Sequence, residues 1–239
     1  MFTTGLARLV DGFDAARPAP STPPVAVREP APRRAWPRAG GAELWAPASA
    51  ALDRPGDERV LDLDRDLGLD HDLASLPHED AGVDRVVSAF GPMFSSDGRA
   101  AIDEMFRVVR PGGVVAFTAW TSLGAVGRLL RLAATHEPSP GVPAPLTWGR
   151  EERLRQELER HGDDVRLEAR ELALRFESGE EAVARLIAGL GPLAQAARPD
   201  ELRERATQVI DELAVAEPGG VRLAARYLLA EAVRRPVLY

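Results

Sequence analysis

The amino-acid sequence predicts an α/β fold with a short parallel sheet, and three observations carry the prediction. The runs VLDL (60–63), VDRVVSAF (83–90) and VVAFTAW (114–120) have the length of buried strands. Their apolar residues fall on both faces, as in a parallel sheet covered by helices. Between the second and third runs, GRAAIDEMFRVV (98–109) sets Ala101, Ile102, Met105, Phe106 and Val109 on one helical face. Pro111-Gly112-Gly113 then stops that helix and releases the next strand.

The remaining elements follow in chain order. Residues 2–16 have the spacing of a short amphipathic helix, with Leu6, Leu9, Val10 and Phe13 on one side. Residues 17–41 are rich in proline, which removes backbone donors and blocks both helix and ladder. Residues 1–50 are therefore expected to be a largely irregular Pro/Arg-rich arm, and 51–239 the folded domain. Beyond the third strand, 122–136 reads as a helix and 137–149 as a proline-rich loop. Residues 150–162 read as an amphipathic helix ended by Gly162. Residues 164–178 alternate as a strand does, with a break near Arg170-Glu171 that predicts a bulge. Ser178 and Glu181 have capping-box spacing ahead of a helix carrying Ala182, Val183, Leu186, Ile187 and Leu190. A helix over 199–216 and a long last strand over 221–235 complete the chain.

Composition excludes several classes of function. The 239 residues carry a net charge of −7, and all 30 basic residues are arginine, interleaved with Asp and Glu. A nucleic-acid partner is not expected of such a surface. Without lysine there is no Walker-type phosphate loop. Without cysteine there are no disulfides and no thiolate chemistry. The four histidines show no metal-site spacing, so no metal is expected. No apolar run reaches the ~18 residues of a membrane span, and no signal-peptide pattern opens the chain. A cytoplasmic protein without membrane contact is expected.

Three stretches, taken in order, carry a resemblance. DLASLPHEDAGVDRVVSAFGPMF, AAIDEMFRVVRPGGVVAFTAW and LTWGREERLRQEL resemble the class I S-adenosylmethionine-dependent methyltransferases, nearest the type 11 small-molecule group. The family pattern is an acidic residue, a Leu-Pro pair, an aspartate-bearing strand, and a helix ending in R-P-G-G before another strand. Here these are Asp72, Leu76-Pro77, Asp84, Arg110-Pro111-Gly112-Gly113 and Val114–Phe117. The resemblance implies S-adenosylmethionine as cofactor and a small-molecule acceptor. It also implies a Rossmann-like sheet with an antiparallel C-terminal strand pair, 164–176 with 221–232, and a helical insertion between them.

One part of the pattern is missing. The family's first strand runs into G-x-G-x-G, where backbone N–H groups approach the cofactor and any side chain would collide with it. Here Asp62-Leu63 is followed by Asp64-Arg65-Asp66, and the lone Gly68 makes no such loop. Only eight residues separate Leu63 from Asp72, whereas a parallel crossover needs about a dozen or more. The sheet is therefore expected to be truncated, with about five strands. VLDL should pair directly with VDRVVSAF across the nineteen residues 64–82. Leu67, Leu73 and Leu76 would give that connection an apolar stripe, and Asp64, Asp66, Asp70 and Asp72 a mostly solvated face. The exposed edge at VLDL would be covered by the N-terminal arm or by a second copy of the chain, a homodimer.

The resemblance also implies the candidate cofactor residues. Asp62 matches the strand-one acid that organises the cofactor loop. Asp72, or the backbone beside it at Leu73, matches the holder of the adenine amino group; the alternative is one more solvated aspartate. Ser88, Phe90 and Gly91 lie past a strand's carboxyl end, where α/β sheets bind ligands; they either face the cofactor or simply end a buried strand. Trp120 lines the pocket or packs the core. His136 is a general base or an exposed helix-end histidine, and Trp148 a packing anchor. Two classes of function follow: methyl transfer to a small molecule, or a catalytically inactive relative kept as a partner, a scaffold or a degenerate remnant.

Overall fold

Alternation of strand and helix from residue 60 onward builds a mixed sheet, because the apolar runs must be buried from both sides. The computed structural model describes residues 42–53, 59–67, 72–136, 145–190, 193 and 198–236. All of these belong to one compact unit, Ala31–Tyr239. The helix expected at 2–16, the proline-rich 17–41 and most of the 137–149 loop lie outside the described residues.

Helix α1 (Ala42–Ala50) falls inside the segment expected to be an irregular arm. Ala48 and the following Leu52 are buried in the common core. Strand β1 (Val60–Asp62) runs parallel to β2 (Val83–Ala89), with Val60 opposite Arg85 and Asp62 opposite Val87. Strand β2 runs parallel to β3 (Val109–Leu123), from Arg85 opposite Val114 to Ala89 opposite Thr118. The expected direct pairing of the first two apolar runs, and the adjacency of the second and third, are both present.

The connection from β2 to β3 contains the short α2 (Gly91–Phe94) and the amphipathic α3 (Gly98–Val108). Ala101, Ile102, Met105 and Phe106 are buried, as the periodicity requires. Helix α4 (Gly124–His136) follows β3, then α5 (Glu151–Leu158) and β4 (Gly162–Phe176). Helices α6 (Gly179–Gly189) and α7 (Pro199–Leu213) lead to β5 (Val215–Glu217) and β6 (Gly220–Arg234). The strand order is β1-β2-β3-β6-β4, with β5 also on β6. Both β3 and β4 pair antiparallel with β6, so the expected C-terminal pair is present.

Three expectations need correction. Among the described residues the sheet has six strands rather than about five, because the helix expected to reach residue 216 ends at Leu213. Val215–Glu217 turns back on β6 through Gly219, which at φ 87° takes a conformation that suits glycine. The bulge in β4 lies between Asp163 and Arg166, not at Arg170-Glu171. Asp164 there has φ 50°, while Arg170 and Glu171 stay in register opposite Tyr227 and Arg226. The two ends of β4 meet different helices. From α5, Arg155 reaches the Val165 carbonyl; from α6, Arg185 lies over the Phe176 ring. Finally, α5 ends before Gly162, which instead opens β4.

Candidate cofactor site

Where the family pattern has its glycine loop, carboxylates wind the chain instead. After β1, residues Leu63–Leu67 form a single wide turn of π type. Asp62 Oδ1 accepts the N–H groups of Asp64 and Arg65, both at 3.1 Å, and the Asp62 N–H donates to Asp66 Oδ2 at 2.8 Å. Asp62 thus organises its own loop. Leu63 is buried and anchors the turn to the core.

Asp64 is the residue of this corner that sequence reasoning missed. It was expected on a solvated face, yet its carboxylate turns toward β2. There it accepts the Ala89 N–H and, at 3.2 Å, the Ser88 hydroxyl. Ser88 Oγ in turn accepts the Gly91 N–H at 3.1 Å. Burial pushes the Asp64 carboxyl up to about 7; the Ala89 bond pulls down, the charge of Asp62 pushes up again, and the Ser88 bond pulls down.

Gly91 reports how tightly this corner is filled. A Cβ there would lie 2.3 Å from Ser88 Oγ, 2.6 Å from Leu73 Cδ1 and 3.6 Å from Asp64 Oδ1. Leu73, Ser88 and Gly91, all proposed from sequence, therefore meet at the carboxyl ends of β1 and β2, with Asp64 among them. Asp72 adjoins the corner, but its carboxylate closes its own turn, accepting the Ala74 N–H at 3.1 Å. The loop behind it is pinned to α3. Arg107 donates to the carbonyls of Leu76 (3.0 Å) and His78 (2.8 Å) and to Asp80 (2.7 Å), while Glu104 accepts the Leu76 N–H at 2.8 Å.

Phe90 does not join this group. At φ 71° the backbone swings its ring into the core. The ring stacks on Trp120 with centroids 3.9 Å apart, and Tyr227 stands edge-on to both. Trp120 is a core residue, and Trp148 packs against Gly98 as an anchor. The side chain of His136 lies outside the described residues. Asp84 serves the opposite end of β2. It accepts the Arg59 N–H and pairs with Arg110 (2.6 Å) and Arg59 (3.3 Å), which together hold its carboxyl down to about 2. The arginine of the R-P-G-G motif is thereby a structural clamp.

Two chemical readings can be tested on this geometry. Asp103, Glu157 and His161 bring three potential metal-ligand atoms within 4.8 Å of one another. Arg99 and Arg160 already bond the buried Glu157 carboxylate, so the cluster is an ion-pair network rather than a cation site. At the strand ends, the residues as arranged do not fit S-adenosylmethionine. Asp64 takes up the Ala89 N–H and the Ser88 hydroxyl, and Leu73 closes over Gly91. The strand order adds a reason. Both crossovers, β1 to β2 and β2 to β3, step in one direction, so the described sheet lacks the reversal that opens a crevice in doubly wound folds.

Comparison with known proteins agrees with the fold. Residues 45–117 match the family model described as a methyltransferase domain. An uncharacterized protein of Mycobacterium tuberculosis, Rv1405c, is 43% identical over 79 residues, which are 32% of this chain and 29% of that protein. A second, Rv1403c, is 32% identical over 94 residues, 38% of this chain and 34% of its own. The chain thus spans about a third of the length of the curated relatives it matches. Among solved structures, a candidate methyltransferase of Bacillus halodurans C-125 aligns with a TM-score of 0.51 at 14% identity, covering 80% of this chain and 99% of that one. The YcgJ protein of Bacillus subtilis aligns with a TM-score of 0.51 at 12% identity, covering 81% and 99%. These likenesses show the fold, and with the domain match they bear out the resemblance to class I methyltransferases. No helix among the described residues is long and apolar enough to cross a membrane.

Proposed function

We propose, from the class I methyltransferase fold and the methyltransferase-domain match over residues 45–117, that the chain serves S-adenosylmethionine-dependent methyl transfer to a small-molecule acceptor. One observation carries this reading. Leu73, Ser88 and Gly91 converge at the carboxyl ends of two parallel strands, inside the matched region. The carboxyl ends of parallel strands are the edge at which α/β sheets take ligands, and a ligand here requires the Asp64 carboxylate to leave the Ala89 N–H and the Ser88 hydroxyl. The cofactor would supply a methyl group already activated on sulfur. The protein's task is then to hold donor and acceptor in line and exclude competing geometries, which is catalysis by proximity. A small molecule is favoured over nucleic acid by the net charge of −7.

A second reading is a catalytically inactive relative acting as a partner or scaffold. The Asp64 carboxylate favours it, since it occupies the strand-end donors. Titration calorimetry with S-adenosylmethionine and S-adenosylhomocysteine separates the two. Saturable micromolar binding, weakened in Asp72→Ala, supports methyl transfer. No heat from a chain shown to be folded supports the inactive relative.

A further inference from the structure

Strand β4 closes the sheet on the side away from β1. We propose that its outer edge is a self-association surface, where β4 of a second copy pairs antiparallel about a two-fold axis at Ala169. The proposal stands apart from the methyl-transfer reading.

Three observations point to this edge. First, it is long and regular. From Arg166 to Phe176 the strand keeps unbroken register with β6, and among the described residues no strand pairs with its other side. Residues along such an edge alternately turn their N–H and C=O groups away from the sheet, which makes a template for a further strand. Second, the features that blunt an edge are gathered at its start. The bulge lies between Asp163 and Arg166, Asp164 has φ 50°, and Arg155 reaches the Val165 carbonyl. Beyond them the strand contains no proline.

Third, the charges along the regular part suit a second copy of the same strand. A two-fold axis perpendicular to the sheet sets each residue opposite one on the same face. With Ala169 on the axis, Glu168 faces the partner's Arg170, and Arg170 faces the partner's Glu168. Glu168 and Arg170 are 2.7 Å apart within one chain, so the four side chains close a ring of alternating sign. Arg166 then faces the partner's Leu172, and Leu167 the partner's Glu171, so no like charges meet. Other registers are worse. An axis at Glu168, Arg170 or Glu171 sets that charge against its own copy, which is unfavourable. An axis at Leu167 runs into the bulge, and one at Leu172 brings no opposite charges together. The charges thus select pairing over residues 166–172, which joins the sheets of two copies into one.

The test is sedimentation equilibrium of the full chain, with hydrogen exchange of β4 at low and high protein concentration. Wild type should form a reversible dimer, and amides within 166–172 should exchange more slowly as it forms. Arg170→Glu and Glu168→Arg each oppose like charges at two symmetric positions, and each should weaken the dimer by about tenfold or more. Combining Glu168→Arg with Arg170→Glu restores both pairs and should return the affinity close to that of wild type. If Arg170→Glu does not fold, Glu168→Arg carries the same expectation at the more exposed side chain. A chain monomeric at every concentration overturns the proposal. So does a dimer that both single exchanges leave unchanged, or a loss that the double exchange does not recover.

Discussion

At the scale of single residues, burial and backbone geometry pull in opposite directions, and magnitudes decide. Phe90 holds φ 71° with its ring stacked on Trp120. The left-handed backbone costs a non-glycine residue about 1–2 kcal/mol, whereas losing a buried aromatic costs about 3–5 kcal/mol. Phe90→Gly should therefore destabilise by about 1–4 kcal/mol in urea titration, despite the relief of backbone strain. Asp64 gives a pH dependence of definite sign. Its carboxyl titrates at 3.8 unfolded and at about 7 folded. Between those values the folded chain keeps a proton that the unfolded chain has released, so stability falls as pH rises through the window. Asp84 acts in the other direction, its contribution being lost as pH falls from 3.8 toward about 2. The urea midpoint should be higher at pH 5 than at pH 8, and Asp64→Asn should shrink the difference. A difference that Asp64→Asn leaves unchanged would assign it to other groups. The site was partly legible at this scale. Ser88 and Gly91 stood out because they follow a strand's carboxyl end. Asp64 did not, because an acid in the run D-R-D looks solvated until the carboxylate of Asp62 is seen to wind the turn.

At the scale of elements, the readable signals were the local ones. Helix α3 could be located because its apolar face repeats at the helical period and Pro111-Gly112-Gly113 follows it. The Asp97 carboxylate accepts the Arg99 and Ala100 N–H groups, both at 3.0 Å. Helix α6 is closed by the capping box at Ser178. Its hydroxyl accepts the Glu181 N–H at 3.1 Å, and Glu181 accepts the N–H of Glu177, one residue earlier than the usual reciprocal bond, at 2.6 Å. Asp97→Ala and Ser178→Ala should each cost about 1 kcal/mol. The loss at Asp97 should be read out as lower global stability, because α3 packs Ile102, Met105 and Phe106 into the common core. A fraying confined to the first turn, with global stability unchanged, would contradict that. What could not be read were features decided by distant partners. The position of the β4 bulge depends on where Gly162 and Asp163 meet Arg234 and Val233 of β6. The existence of β5 depends on β6 presenting Gly220–Arg222 to a chain that has just left α7.

At the scale of the whole molecule, the sheet is unequal from one side to the other. Strands β3, β4 and β6 are fifteen residues each, whereas β1 is three and, among the described residues, pairs only with β2. Sequence reasoning anticipated this, since eight residues between Leu63 and Asp72 leave no room for a further crossover. The consequence is a gradient of stability. Short edge elements with little buried apolar surface open at lower free energy than the core strands they flank. Native-state hydrogen exchange should place the amides of Val115–Thr118 and Leu228–Ala230 at the limit of global unfolding. The amide of Leu61 in β1 should exchange through a smaller opening, at least about 2 kcal/mol below that limit. This opening joins the fold to the site, because β1 carries the turn that holds Asp64 against Ala89. If Leu61 and Ala89 share one sub-global opening, the Asp64 contact can be released while the rest of the sheet stays folded, and ligand should raise the protection of both amides together. If instead Leu61 exchanges only with global unfolding, β1 and its turn are a fixed part of the core. Asp64 would then be a permanent closure of the strand ends, and the inactive-relative reading would be the one to pursue.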